Sequence, residues 1–427
     1  MQKGTRRSPD SLVLFILLAC LIISPVHTST AATFTVNSGF DVNDLEPGNG
    51  LCVAYIVVII PAVLAFCTLR GAIEEANDLP GDDVILLGSG TYRLSIAGRN
   101  EDQSATGDLD ITNSLQIIGA GADKTFIDAD GIDRVLDIVG QGTTVSLSGL
   151  TIRGGALPTG QPSPLGGGIR NRGNLTLDHV TVTGNSLPTM LDETKGGGIY
   201  TDSPCWITDS TISDNQAASG AGIFNDTRGC LHISASSLIN NYGGDSGGIS
   251  NKGTAFLLNA TLFANTATET SGPPGSAILN SGCMQLIHCT VAGNATAPGS
   301  GAISTSGNLY LLNSLIANNP GGDCSPPASI ITKGGNLDSD GSCGLSGQMH
   351  DLIGVDPRLG PLRYNGGPTQ TLAPLPDSPA IDGGLFLASI TADQRSMPRP
   401  MRKAYDIGAI EMYNFSLAPC IMPLLLH

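Results

Sequence analysis

A unit that repeats six times between Gly166 and Asn319 constrains the fold of this chain more than any other feature of the sequence. In each unit a Gly- or Ala-rich approach leads to an isoleucine and a short polar turn, and the isoleucines recur at intervals of 24 to 30 residues. The six isoleucines are Ile169, Ile199, Ile223, Ile249, Ile278 and Ile303. Periods in this range are typical of solenoids, propellers and arrays, so the content of one unit must decide among them.

Each turn precedes a segment in which apolar and polar residues alternate with period two, as in residues 175–185. No unit shows sustained apolar spacing of 3.6 residues, so the units consist of strands and turns. A propeller blade needs four strands in about 40 residues, whereas these units hold two or three short strands in fewer. The sequence therefore predicts an all-β, right-handed parallel β-helix over residues 83–319, with neighbouring coils about 4.8 Å apart.

Asparagines recur at two fixed positions of the unit. The first column contains Asn171, Asn225, Asn251 and Asn280, and the second contains Asn185, Asn215, Asn241, Asn265, Asn294 and Asn319. Asparagine tolerates the left-handed turn conformation, and stacked asparagine side chains can hydrogen-bond along a ladder. We therefore interpret both columns as scaffold rather than chemistry. The 56 glycines and the aromatic content of 4% agree with tight turns around a narrow aliphatic core.

The N-terminus has the composition of a secretory signal peptide, predicted over residues 1–32. Lys3, Arg6 and Arg7 precede an apolar run and a group of small residues at 29–32. Cleavage removes three basic residues and one acidic residue, which lowers the formal charge from −16 to −18. Such an acidic chain repels nucleic acid phosphates. We expect a secreted or cell-surface protein whose partner is a polysaccharide or a surface protein, with no membrane span in the mature chain.

The ten cysteines suit an oxidising compartment, and nine of them follow the predicted cleavage site. Two disulfides are predicted, Cys52 with Cys67 and Cys324 with Cys343. Cys205 and Cys230 fall one position apart on neighbouring coils and are a candidate third pair. The sequence indicates no partner for the remaining cysteines of the mature chain, Cys283, Cys289 and Cys420.

Residues 33–82 are predicted to form an N-terminal cap. Residues 53–66 are almost wholly apolar but too few for a membrane span of about 20 residues. We interpret them as an insertion packed on the end of a helix, with membrane contact as the alternative. The helix follows, because Leu69, Ile73 and Ala76 share one apolar face. Such a helix can cover the open end of a β-helix.

Residues 67–72, Cys-Thr-Leu-Arg-Gly-Ala, resemble the Cys-Ser-Leu-Arg-Glu-Ala motif that opens many secreted bacterial β-helix proteins, with Thr68 and Gly71 as departures. Six later segments resemble, in order, the signature of the choice-of-anchor Q domain. They are residues 336–340, 354–357, 365–369, 378–382, 393–395 and 406–411. Ser396 stands where that family has glycine. The resemblance implies a cell-surface or secreted right-handed β-helix without a settled activity, a C-terminal capping region over residues 320–412 and an apolar anchoring tail over 413–427.

Catalytic and metal-binding motifs are weak in this sequence. The Asn-x-Asp, Asp-Asp and Gly-His-Gly set of β-helix pectinases is absent from the coils. A polysaccharide lyase needs a base and a group that stabilises developing charge, and Arg170 and Arg172 are the candidates, although a solvated face explains them equally well. Two aspartate motifs, at 128–133 and 338–341, hold only part of a calcium loop and are interpreted as turns. We predict no metal site and no cofactor, with calcium as the only alternative.

The strongest functional signal is an aromatic column. The leucines at 175 and 177 face inward, so the residue between them, Thr176, faces outward. Equivalent positions on later coils are Trp206, His232, Phe256, Gln285 and Tyr310. Tyr200 and Phe224 form a second column on neighbouring coils. We predict that Trp206, His232, Phe256, Tyr310, Tyr200 and Phe224 bind a ligand.

These rings lead to two hypotheses about function. The first is a non-catalytic surface protein that binds a glycan or a protein partner along the aromatic column. The alternative is a polysaccharide lyase that acts on a uronate-containing polysaccharide. A long loop that covers the column, or rings that stack only for stability, would also explain the pattern.

Overall fold

The computed structural model describes residues 31–99, 101–157, 164–189, 193–269, 272, 274–296, 300–325 and 330–413. Cys420 and nearly all of the predicted signal peptide and apolar tail lie outside these residues. The described chain contains 37 strands and a single α-helix, Leu69–Asp78. This content confirms the predicted all-β class. No helix in the described ranges has the length and apolar character needed to cross a membrane.

Three parallel sheets run along the solenoid. The first sheet contains Thr33–Val36, Asp83–Leu87, Leu115–Ile118, Thr144–Ser148, Asn174–Asp178, Pro204–Thr208, Cys230–Ser234, Thr254–Leu258, Cys283–Ile287, Asn308–Leu312 and Ile330–Thr332. The second contains Gly90–Arg93, Thr125–Asp128, Thr151–Arg153, Thr181–Thr183, Thr211–Ser213, Ser237–Ile239, Thr261–Phe263, Thr290–Ala292, Leu315–Ala317, Leu337–Asp338 and Leu352–Ile353. The third contains Leu109–Ile111, Leu136–Ile138, Ile169–Asn171, Ile199–Thr201, Ile223–Asn225, Ile249–Asn251, Gly275–Asn280 and Gly301–Thr305. The chain is therefore a parallel β-helix, and its strand pairing continues past Asn319.

Three smaller sheets accompany the solenoid. Gln216–Ala217, Tyr242–Gly243 and Thr266–Ala267 form a short parallel sheet between coils. Arg363–Tyr364 pairs with Gln370–Thr371 in an antiparallel hairpin of the C-terminal region. A second antiparallel hairpin, Tyr55–Ile59 with Ala62–Phe66, belongs to the N-terminal cap.

The alternation of side chains creates one continuous aliphatic core. In Cys230–Ser234, Leu231 and Ile233 are buried, whereas the residues between and beside them are half-buried. Parallel register stacks each inward residue on its equivalent in the next coil, so Leu231 lies between Cys205 and Ala255. Because successive side chains of a strand point to opposite faces, every inward position of the repeat fixes the outward position beside it.

The second asparagine column forms a buried ladder of side-chain hydrogen bonds. The amide of Asn215 donates to Oδ1 of Asn241 over 3.0 Å, and that of Asn241 donates to Oδ1 of Asn265 over 2.9 Å. Each Oδ1 also accepts the backbone N–H of the asparagine one coil earlier, at 3.1 Å in both cases. The column ends at Asp323, which accepts from Asn319. The interpretation as scaffold is supported, since these polar groups satisfy one another away from solvent.

The capping helix covers the first coil as predicted. Leu69, Ile73 and Ala76 are buried, and the Thr68 hydroxyl caps the helix by accepting from the Gly71 N–H. Arg70 also lies fully inside, where its guanidinium pairs with Asp41 at 2.6 Å. The apolar face was evident from sequence, but the buried arginine was not.

The apolar run that was expected to pack on the helix end is instead an exposed hairpin. Its strands, Tyr55–Ile59 and Ala62–Phe66, are exposed except at their half-buried ends. The Cys52–Cys67 disulfide and a stack of Tyr55 on Phe66 hold its base. The packing prediction was wrong, because the two strands pair with each other and their side chains stay exposed instead of packing on the end of the helix.

Both predicted disulfides, Cys52–Cys67 and Cys324–Cys343, are present. The candidate third pair is not, because Cys205 is buried in the core while Cys230 is only half-buried on the opposite face of its sheet. Positions offset by one along a strand point to opposite faces. The thiols of Cys283 and Cys289 are also free.

The C-terminal region lies along the outward face of the second sheet. The Gln394 amide donates to Ser237 Oγ over 2.9 Å, and its Oε1 accepts from Thr261 at 2.6 Å. Further along, the Ala409 N–H donates to Thr290 Oγ1 over 3.0 Å. Residues 369–409 therefore cover one side of the later coils and leave the same face of the earlier coils open.

Candidate functional site

Three rings stack on the outward face of the first sheet. Trp206, His232 and Phe256 occupy the same register position on consecutive coils. Ring centroids are 5.8 Å apart for Trp206 and His232 and 5.0 Å for His232 and Phe256, with planes within 18° of parallel. Trp206 and Phe256 are each 40% exposed. We call these three residues the aromatic ladder; as predicted, they form one outward column.

Polar groups border the aromatic ladder on both sides. The hydroxyls of Thr208 and Ser234 lie 3.0 Å apart, two residues after the ring on each strand. On the other side, Cys230 Sγ is 3.3 Å from His232 Nε2. Apolar rings with a few convergent hydrogen-bonding groups are the usual composition of a small-molecule or sugar site. The inner ring faces contact one another, and the outer faces of Trp206 and Phe256 adjoin Thr176 and Gln285 on the neighbouring coils, so a ligand would meet mainly the outward edges of the rings.

Tyr310 belongs to the same column but not to the ladder. The register passes from Phe256 to Gln285 and only then to Tyr310, so one glutamine interrupts the aromatic series. The Tyr310 ring is half-buried, and Lys333 Nζ lies 5.2 Å from its centroid. A lysine over the ring face favours a local cation–π contact, which leaves less of Tyr310 for a ligand.

The second aromatic column is present on neighbouring coils, but its rings are buried. Tyr200 and Phe224 stack at 5.8 Å, but they are only 7% and 1% exposed. Lys195 and Lys252 lie 5.2 and 5.4 Å from the Phe224 centroid, and both make cation–π contacts with it. Neither ring offers a face to a ligand. The shared column of Tyr200 and Phe224 is confirmed, whereas ligand binding by these two rings stays a prediction that their burial disfavours.

Arg170 lies on the third sheet and Arg172 directly after the same strand, and both face carboxylates. Arg170 Nε donates to Asp137 Oδ1 over 2.9 Å, Arg172 lies 3.4 Å from Asp137 Oδ2, and both guanidinium groups are 3.9 Å from Asp102. Burial alone would lower the pKa of Arg170, but the hydrogen bond and charge of Asp137 raise it above its ordinary value. A lyase base must lose its proton at the operating pH. The geometry therefore disfavours Arg170 as a base.

We expect Asp110, which belongs to the same group of carboxylates as Asp102 and Asp137, to make stability depend on pH. Burial first, and then the charge of Asp108, raise the pKa of Asp110 to about 8, and its Oδ1 has no hydrogen-bond partner. A raised carboxyl pKa stabilises the fold below the unfolded pKa of about 3.9, and this stabilisation is lost as the pH rises toward 8. We expect Asp110→Asn to raise the free energy of unfolding at pH 8 by about 1 to 3 kcal/mol.

Thermal unfolding of Asp110→Asn at pH 5 and pH 8 measures this effect. The gain should be present at pH 8 and much smaller at pH 5, where the native carboxyl already holds its proton. Asp102→Asn is the matched control, because that side chain is 60% exposed and should change stability little at either pH. An equal effect of Asp110→Asn at both pH values would contradict the pH dependence.

Three groups of side chains bring possible metal ligands within 4.8 Å of one another in the described part of the chain. They are Asp178 with His179 and Asp209, Asp102 with Asp110 and Asp137, and Asp323 with Asp338 and Asp340. In the third group Asp338 accepts the N–H groups of Gly341 and Cys343 at 3.0 and 2.9 Å, so this motif acts as a turn. In the second, Arg170 neutralises Asp137. These contacts explain the third group without a cation, whereas in the second Asp110 Oδ1 keeps no hydrogen-bond partner.

A groove of about 570 Å³ lies on the part of the second sheet that the C-terminal region leaves open. Its walls include Arg153, whose guanidinium lies 4.6 Å from the Phe126 ring centroid, and His179. Tyr364 and Pro368 of the C-terminal region close one end. Sequence reasoning missed this groove, because nothing local indicates that residues 364–368 meet coils some 200 positions earlier.

Comparison with known proteins identifies a structural neighbour but no related sequence. A crystal structure of pectate lyase Pel9A is similar to this chain with a TM-score of 0.47 and 14% sequence identity, over 90% of this chain and 98% of that one. No protein family model and no curated protein matches the chain. A likeness this distant says nothing about chemistry. The resemblance to choice-of-anchor Q proteins stays a prediction.

Proposed function

We propose that this protein is a non-catalytic, extracellular β-helix protein that binds a neutral polysaccharide along the aromatic ladder. The observation that carries the proposal is the outward stack of Trp206, His232 and Phe256 at the spacing of the coils, in which Trp206 and Phe256 are exposed and His232 is half-buried. Rings fixed on a sheet lose little conformational entropy on binding. Thr208 and Ser234 supply hydroxyls beside them, as a sugar ligand requires.

Charge and covalent structure support the same proposal. A formal charge of −16 opposes binding to anionic polymers, so an uncharged glycan is the better ligand. The disulfides suit an oxidising, extracellular compartment. The resemblance to secreted proteins with a choice-of-anchor Q domain points to the same location. Ser396, which replaces the glycine of that family, has a φ of 64°, the left-handed conformation that glycine favours.

The test is the Trp206→Ala variant, after a glycan array has identified a neutral ligand for residues 33–427. We expect binding to weaken by about 1.5 to 3 kcal/mol, the free energy of burying one large apolar side chain. The melting temperature should change little, because the side chain is already partly exposed. Isothermal titration calorimetry and thermal unfolding measure the two effects.

Tyr242→Ala is the matched control, because Tyr242 is 43% exposed and lies outside the aromatic ladder. It should leave binding unchanged. If Trp206→Ala instead costs about 3 to 5 kcal/mol of stability, as a buried ring would, and binding is unaffected, the ladder is a packing feature. If the array finds no glycan while a surface protein binds the wild type and binds Trp206→Ala more weakly, the partner is a protein.

The second-sheet groove favours the alternative of a polysaccharide lyase. It combines Arg153, a cation that Asp128 already pairs with at 2.8 Å and that a uronate carboxylate would have to share, with His179, whose Nδ1 lies 2.9 Å from Asp178 Oδ1. A neutral imidazole can accept a proton as a general base. Incubation with pectate, alginate and glycosaminoglycans, with and without calcium, would reveal unsaturated products. If the protein forms such products and His179→Ala, Arg170→Ala or Arg172→Ala abolishes the turnover, the protein is a lyase and the non-catalytic proposal is wrong.

A further inference from the structure

The antiparallel hairpin of the N-terminal cap exposes a run of apolar side chains. Val58 and Ile60 are 66% and 90% exposed, and Val63 on the returning strand is 65% exposed. Residues 53–66 contain no charged side chain. We call the strands Tyr55–Ile59 and Ala62–Phe66, with the turn between them, the apolar hairpin. Exposed apolar surface of this kind usually marks a contact site.

The apolar hairpin is apolar on both faces, and polar side-chain contacts occur only at its base. Successive side chains of a strand point to opposite faces, and Val57 and Val58 are both exposed, so both faces are apolar. At the base, Tyr55 stacks on Phe66 at 4.6 Å and its hydroxyl lies 2.9 Å from Ser38 Oγ. A protein surface would cover one face and leave the other in water. A lipid bilayer surrounds the tip on every side.

We propose that the tip of the apolar hairpin, residues 58–63, inserts into the surface of a neutral phospholipid bilayer. Each arm of the tip has three residues, 58–60 and 61–63, and three residues span at most about 10 Å at 3.4 Å per residue. This length matches the 5 to 10 Å depth of interfacial elements. Tyr55 and Phe66 then lie at the headgroup level, where aromatic rings are enriched. The proposal goes beyond glycan binding and does not depend on it.

Two observations limit the depth and the lipid. The hairpin is a two-stranded sheet, so the outer edge of each strand carries unpaired backbone groups that hydrocarbon cannot satisfy. Insertion therefore stops at the boundary between headgroups and acyl chains. The strongly acidic chain is repelled by anionic headgroups, which makes a zwitterionic surface the better partner.

Flotation of residues 33–427 with phosphatidylcholine vesicles tests the proposal. We expect the wild-type protein to float with the vesicles and the Ile60→Asp/Val63→Asp variant to lose at least about tenfold in bound fraction, because each carboxylate must leave water. The control is Leu375→Asp/Phe386→Asp, which makes the same charge change at exposed apolar positions of the C-terminal region. It should bind as the wild type does.

Depth is measured with an Ile60→Trp variant in a Trp206→Phe background. Its emission should shift to the blue on adding vesicles and be quenched by lipids brominated in their acyl chains. Failure of the wild-type protein to bind the vesicles overturns the proposal. A concentration-dependent dimer in sedimentation velocity that the Ile60→Asp/Val63→Asp variant abolishes, without vesicle binding, would assign the hairpin to a second copy of this chain.

Discussion

Replacing Asn241 by alanine should lower the free energy of unfolding by about 3 to 5 kcal/mol, since at least two buried polar groups each lose a partner at about 1 to 3 kcal/mol. The Asn241 Oδ1 accepts the backbone N–H and the side-chain amide of Asn215. Its own amide donates to Ile212 O at 3.0 Å and to Asn265 Oδ1 at 2.9 Å. Truncation leaves these groups without partners inside the solenoid.

Denaturant unfolding monitored by circular dichroism measures this loss as a shift of the midpoint at unchanged slope. Asn308→Ala is the matched control, because that side chain is exposed and should change stability by less than about 0.5 kcal/mol. A loss below about 1 kcal/mol for Asn241→Ala would mean that water replaces the missing amide, and that the ladder contributes little to stability.

The fold and the aromatic ladder could be predicted because both follow from register. Parallel coils copy each position onto the next, so once residues 175 and 177 were placed inward, Trp206, His232 and Phe256 had to share an outward column. The asparagine columns followed from the same periodicity. A local period-two pattern, repeated at a fixed interval, determines which side chains stack before any long-range contact is known.

The exposure of a ring could not be predicted from register alone. Phe224 occupies a regular position, yet Lys195 and Lys252 lie close to its ring. Whether a turn between coils covers a sheet depends on its path, which a residue pattern does not encode. The same reason explains the second-sheet groove, whose end is closed by Tyr364 and Pro368.

The hairpin of the cap was misjudged for a different reason. A continuous apolar run is normally buried, and residues 53–66 alternate too little to indicate which face would meet the core. The structure pairs the two halves of the run with each other. Nothing in the pattern distinguishes a buried strand pair from an exposed one, so only the absence of a covering element among the described residues reveals the exposure.

Replacing Arg399 by methionine should loosen the C-terminal region from the second sheet at a cost of about 3 to 5 kcal/mol, the usual cost of breaking a buried ion pair. Arg399 is fully buried, with Nη1 3.0 Å from Glu411 Oε2 and Nη2 donating to Gly408 O over 2.7 Å. Burial first, and then the charge of Glu411, raise the pKa of Asp406 to about 7. Without the guanidinium, these two carboxylates repel each other inside the protein.

The effect of Arg399→Met should depend on pH and should be local. Both carboxyl pKa values are raised, so protonation at pH 5 removes much of the repulsion, and the loss of stability should be smaller there than at pH 8. Hydrogen exchange followed by mass spectrometry should show faster exchange in residues 369–409 while the coils stay protected. Arg363→Met, at an exposed position, is the control. If Arg399→Met leaves the exchange protection of residues 369–409 unchanged, the prediction is wrong. The hydrogen bonds to Ser237, Thr261 and Thr290 then hold this region without the buried ion pair.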